Sequence, residues 1–140
     1  MRRLDIFGPF FAMIGLTIVV WSYMYARRLP FIVRSNLAPE QLTPLELARL
    51  SPPGVATPSD NLKNLFELPT IFYALILCPY VTGTVDAVQL MAAWAFVGFR
   101  VMHSAVHCTF NLVPLRFLLY VAGALTLWFM LLRGAAAILS

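Results

Sequence analysis

Four residues in the stretch "FRVMHSAVHCTFN", positions 99–111, could do chemistry: Arg100, His103, His107 and Asn111. They are a fixed cation, two imidazoles that titrate near neutral pH, and an amide. At ~100° per residue they fall within about 80° of arc, so a helix would display them as one stripe. A second set, Asp60, Asn64 and Glu67, falls within about 60° by the same geometry. Arg116 and Tyr120 lie four apart a little further along and join the same level. Two such stripes facing each other would line a shared aqueous cavity. The plainer alternative is structural. Glu67 and Arg100 would form a buried ion pair, and the histidines would donate to neighbouring carbonyls. A proton relay or small transporter built on His103 and His107 is a further reading.

Metal chemistry fits less well. His103 and His107 are spaced i, i+4, but "HSAVH" lacks the glutamate of a zincin helix. Cys108 points off the stripe by about 100°. A haem would need ligands from facing helices, and both histidines are on one. The chain has no C-x-x-C, no Gly-rich phosphate loop and no serine elbow. Cys78 and Cys108, at no motif spacing, read as packing residues rather than a disulfide framework.

The elements that must carry these residues are apolar. Of 140 residues 61% are hydrophobic and 11% charged, against about half and a quarter in soluble domains. The expected architecture is all-α: a single integral-membrane domain over 1–140, a four-helix bundle with spans at about 6–28, 60–80, 85–110 and 114–138. Glu67 and Arg100 then carry charge where it costs on the order of 2.5–3.5 kcal/mol at the bilayer centre, so neither should face lipid. "MRRLDIFGPFFAMIGLTIVV" starts like a signal peptide but lacks a small-x-small cleavage site, and is expected to be a retained first helix.

The connection at 29–59 is the only long one. In it "TPLELARL" reads as a short surface helix, with Thr43 as N-cap, Pro44 at its first position and Glu46 completing a capping box. Ser59 and Thr84 read as N-caps of spans two and three, and Pro69 as a kink inside span two. Arg27, Arg28, Arg34, Arg49 and Lys63 cluster between the first two spans, and Arg116 lies between the last two. The positive-inside rule therefore places 29–59 in the cytoplasm and both termini outside, although Arg2 and Arg3 oppose it. The formal net charge of +4 is explained by anchoring at anionic lipid headgroups and requires no nucleic acid.

"NLKNLFELP", "RVMHSAVH" and "NLVPLR" together resemble MAPEG, the membrane-associated proteins in eicosanoid and glutathione metabolism, in a bacterial-type branch. The resemblance is close from about Asn61 to Gly134 and looser over the first span. It implies a homotrimer with glutathione as co-substrate, bound between subunits near the cytoplasmic side. Asn64 and Glu67 match the family's polar pair that holds glutathione, and Arg100 and His103 match the start of its third-helix motif. Lys63 and Asn111 are further binding candidates. Arg116 matches an arginine near the glutathione sulfur, and Tyr120 a tyrosine of some prostaglandin synthases. His107 stands where relatives have tyrosine, which makes Arg116, His107 and Tyr120 the catalytic candidates.

The resemblance also has departures. Asp60 stands where well-studied members have arginine, and Phe117 where the prostaglandin synthase has serine, which argues against that activity. The implied function is a membrane-bound glutathione- or thiol-dependent transferase or peroxidase for lipophilic electrophiles, in a bacterial inner membrane. The alternative is a non-catalytic protein of the same fold, or an accessory subunit of a larger membrane complex.

Overall fold

Long apolar runs interrupted by proline set the elements of this chain. In a computed structural model that describes residues 2–139, they form helix α1 (Phe7–Arg34), α2 (Pro44–Leu50), α3 (Pro53–Asn64), α4 (Leu68–Thr82), α5 (Ala87–Cys108) and α6 (Val113–Leu139). Short 3₁₀ turns at Arg3–Ile6 and Pro39–Leu42 precede α1 and α2. There is no strand among the described residues. Helix α5 packs most extensively on α6 and also touches α1 and α3, while α4 lies against α6. The core runs through Met13, Phe72, Ile76, Phe96 and Met130. Phe72 and Phe96 stack with ring centroids 4.6 Å apart.

Arg3–Arg34, Pro53–Thr82 and Val113–Leu139 are long and apolar enough to cross a membrane. Helix α5 differs from them. It carries Gln89, Arg100, His103, Ser104 and His107, and it buries all five. Its opposite face, with Met91, Trp94 and Met102, is apolar and exposed.

The expected second span is two helices. Residues 65–67 break it, and Pro69 sits in the first turn of α4 rather than inside a continuous helix. Proline has no N–H to give the carbonyl four residues back, and its ring crowds that carbonyl, so the preceding turn opens. Ser59 is not an N-cap either. Helix α3 starts at Pro53, where a missing N–H costs nothing. Pro58 inside α3 frees the carbonyl of Gly54, and that oxygen accepts from Arg27 Nε at 3.2 Å. A proline defect thereby ties α3 to the basic end of α1.

Thr43 is the N-cap residue of α2 and Pro44 its first residue, as expected, but no capping box forms: the Thr43 side chain makes no capping bond, and Glu46 pairs with Arg49 at 3.3 Å. Thr84 is not the cap of α5; its hydroxyl meets that of Thr82 at 2.9 Å. The cap is Asp86, which accepts from the Gln89 N–H at 2.7 Å and forms an ion pair with Arg133 of α6. A carboxylate satisfies an orphan N–H more strongly than a threonine hydroxyl and also favours the positive helix end. Gly83, with φ of 77°, ends α4 in the left-handed conformation that suits glycine.

Asp86 therefore joins a helix cap to an inter-helix tie. Asp86→Ala should lower stability in detergent micelles by about 0.5–2 kcal/mol. Asp86→Asn keeps the cap and loses only a half-exposed ion pair, and should cost about 0.2–1 kcal/mol. Equal losses in denaturation curves of the two variants would show that the cap contributes nothing.

Candidate functional site

The site forms where the C-terminal half of α5 meets the start of α6 and the break between α3 and α4. Arg100 is the deepest member, with a relative exposure of 1%. None of its three guanidinium nitrogens has a hydrogen-bond partner among the described residues. The cation instead lies 5.4 Å from the Phe96 ring centroid and 4.9 Å from that of Tyr120. Two aromatic faces attract a guanidinium, but they do not satisfy its N–H groups. Gly123 of α6 faces this region: a Cβ there would sit in ordinary contact, 3.8 Å from Arg100 Nε.

Tyr120 connects the cation to the carboxylate. Its hydroxyl donates to Glu67 Oε2 at 3.4 Å while its ring covers Arg100. Glu67 reaches this position because it occupies the helix break, as the residue before α4. Glu67 and Arg100 are not the direct ion pair that the sequence allowed, since the tyrosine stands between them.

The histidines lie one turn apart on α5, with ring centroids 5.6 Å apart and nearly perpendicular. His103 Nδ1 is 3.0 Å from the Arg116 carbonyl oxygen. A carbonyl only accepts, so Nδ1 carries the proton, and in the neutral ring Nε2 is left as a bare acceptor. That Nε2 is buried without a partner, and so is His107 Nδ1. Asn111, in the turn between α5 and α6, has φ of 47°, a conformation asparagine tolerates. Its N–H donates to the Val106 carbonyl at 2.8 Å, and its side-chain oxygen accepts from Arg116 Nη1 at 2.7 Å. One residue thus ties the turn after α5 back onto that helix and aims the first cation of α6.

Glu67, Arg100, His103, His107, Asn111, Arg116 and Tyr120 therefore form one connected cluster. Two sequence-derived candidates stay outside it. Lys63 is exposed and pairs with Asp60 at 2.9 Å. Asn64 closes α3 half-buried, with no side-chain hydrogen bond to another described residue. The stripe of Asp60, Asn64 and Glu67 does not exist as drawn, because the break at 65–67 resets the helical phase before Glu67.

Asn61 is the residue that the wheel missed. It is fully buried at 0% exposure, donates to Cys108 Sγ at 3.4 Å and accepts from the Ser104 hydroxyl at 3.3 Å. A signal was present in Ser104, whose wheel angle lies within about 40° of Arg100 and so belongs beside the polar stripe. Among the described residues, no group of three or more His, Cys, Asp or Glu side chains could hold a metal ion.

An all-α bundle with membrane-length apolar helices and a buried, partly unpartnered polar cluster defines a membrane protein built around an internal polar site. The model of the MAPEG family matches residues 6–136. The chain belongs to that family, and so to the membrane proteins of glutathione and eicosanoid metabolism. No curated protein and no solved structure matches it.

The unpartnered guanidinium yields a stability prediction. Removing an uncompensated buried charge is neutral or stabilising when an apolar group of similar length replaces it. Arg100→Met should leave the ligand-free protein as stable as the parent or up to ~4 kcal/mol more stable. Thermal unfolding in detergent checks this, and a loss of more than about 3 kcal/mol would mean that Arg100 is already paired.

Proposed function

We propose that this chain is a membrane-bound glutathione- or thiol-dependent transferase or peroxidase acting on lipophilic electrophiles, as one membrane domain assembled into homotrimers. The observation that carries the reading is the Arg100 guanidinium, buried and without a hydrogen-bond partner among the described residues. An unpaired buried cation fits an anionic ligand, because a carboxylate would satisfy its N–H fork in charge-assisted bonds. Glutathione carries two carboxylates and one ammonium. Arg100 would hold a carboxylate, and Glu67, exposed at the mouth of the cluster, would take the ammonium.

The chemistry then falls to Arg116. Asn111 fixes its guanidinium, and a cation close to a thiol lowers the thiol pKa and raises the thiolate fraction. In conjugation the sulfur bonds to carbon, the leaving group departs with the bonding pair, and the thiol proton passes to water. His103 Nε2 and His107 are buried acceptors within the same cluster and suit proton handling. In the peroxidase variant two thiols reduce one hydroperoxide, giving a disulfide, an alcohol and water. The basic residues around the end of α1 support an orientation with 29–59 cytoplasmic and the termini outside, and the bacterial inner membrane is the placement that goes with this reading.

The second reading, a non-catalytic fold or accessory subunit, is favoured by one contact. Asp60 neutralises Lys63 at 2.9 Å and withdraws a cation that a glutathione cradle would use. The two readings separate in one experiment, which measures conjugation of a generic aryl halide with glutathione in detergent. The transferase reading expects thiol-dependent turnover. Arg116→Ala should reduce it about tenfold, the equivalent of one pKa unit in the thiol. Equal rates in both proteins would sink this reading. Calorimetry without glutathione binding, together with co-purification in a larger complex, would establish the second.

A further inference from the structure

Two concavities sit on one face of α1. The first is an apolar groove of ≈ 370 Å³ between α1 and α5. Leu16, Val19, Val20 and Tyr23 form one wall, and Val101, Ser104, Ala105 and Cys108 form the other. The second is a cleft of ≈ 400 Å³ at the end of α1, against the start of α3. Arg27, Phe31 and Arg34 line it, with Val55 opposite. On the helical wheel of α1, the four groove residues and both arginines fall within about 100° of arc. The apolar groove therefore points into the cationic cleft along a single helix face.

We infer that this face of α1 is a binding site for one anionic glycerophospholipid, with its phosphate between Arg27 and Arg34 and an acyl chain in the α1–α5 groove. Charge and dimensions both select this occupant. Arg34 is exposed, and its side chain has no ion pair or hydrogen bond with another described residue. Arg27 is exposed too and is oriented by the Gly54 carbonyl that Pro58 frees. Two guanidiniums with an aromatic side chain between them suit a phosphodiester, and basic residues at the end of an apolar helix belong at headgroup level. From Leu16 to Arg27 the rise is about 17 Å, close to the roughly 15 Å of hydrocarbon in one leaflet. An acyl chain entering at Tyr23 would end near Leu16. The site is separate from the Arg100 cluster and does not depend on glutathione chemistry.

The test reconstitutes the purified full chain in nanodiscs of mixed phosphatidylcholine and phosphatidylglycerol, releases it into detergent, and counts retained lipids by native mass spectrometry. The expected result is one phosphatidylglycerol retained per chain, in preference to phosphatidylcholine. Arg34→Gln should lower retention roughly fivefold, the equivalent of one interfacial cation. Arg49→Gln, which removes an arginine outside the cleft, should leave it unchanged. Ala105→Trp, which fills the groove without touching either arginine, should also reduce retention. Circular dichroism confirms that each variant is folded, and Ala105→Val replaces Ala105→Trp if the larger side chain is not tolerated. Several outcomes would overturn the proposal. Equal effects of Arg34→Gln and Arg49→Gln would mean diffuse surface attraction. Competition by inorganic phosphate that fully displaces the lipid would mean a phosphate site without an acyl groove. Loss of oligomer with unchanged lipid in Ala105→Trp would place a second copy of the chain in the groove.

Discussion

Arg100 sits at the centre of an apolar bundle with no carboxylate against it, and the arrangement around it follows from keeping that charge away from lipid. A guanidinium can be buried only if its surroundings offset part of the lost hydration. Here two ring faces do so, Phe96 from the same helix and Tyr120 from α6. Those rings need α5 and α6 in close register, and this is the most extensive helix pairing in the fold. They also need the polar face of α5 to be covered. Helix α5 turns that face inward and leaves Met91, Trp94 and Met102 exposed on the other, while α1, the α3–α4 pair and α6 present the long apolar surfaces. The polar residues decide which face of α5 lies inside.

The break between α3 and α4 serves the same constraint. An unbroken helix would carry Glu67 on a fixed phase with Asn64. The turn before Pro69 releases it, and its carboxylate meets the Tyr120 hydroxyl rather than the guanidinium. Tyr120 thus holds cation and carboxylate apart, so that neither satisfies the other. A closed Glu67–Arg100 pair would be a finished structural element. The separated arrangement leaves Arg100 with unused donors and Glu67 with accessible acceptor capacity, which is the condition for binding a molecule that carries both charges.

The extent to which this was legible in the sequence follows from the same residues. Arg100, His103, His107 and Asn111 stand out because their surroundings are apolar, and one uninterrupted helix carries the first three, so the wheel placed them correctly. It failed across residues 65–67, where Pro69 breaks the phase that the wheel assumes. The break separated Glu67 from Asp60 and Asn64, while Asn61, which α3 turns inward, lay about 100° off that stripe. Local competition misled two cap assignments: Ser59 and Thr84 have the right side chains, but Pro53 starts α3 and Asp86 outcompetes Thr84, whereas Thr43 does hold the N-cap position of α2 with Pro44 next, and only its capping box is missing. The family was readable because its motifs are fixed by residue order, which the break within NLKNLFELP leaves unchanged. Lys63 was not placeable from spacing, since its partnership with Asp60 depends on which side of α3 faces water.

Helix α5 also separates two kinds of chemistry by face. Arg100, His103 and His107 lie on one arc, while Val101, Ala105 and Cys108 lie on the adjoining arc that lines the apolar groove. Ser104 stands at the boundary, and Asn61 satisfies its hydroxyl while also meeting Cys108. A hydroxyl, an amide and a thiol that satisfy one another form a neutral partition between lipid-like space and a charged cluster. A partition made of charged groups would attract water into the groove, and a wholly apolar one would leave Asn61 buried and unsatisfied at a cost of about 1–3 kcal/mol. The small, mutually bonded trio therefore keeps the two spaces one residue apart without mixing them.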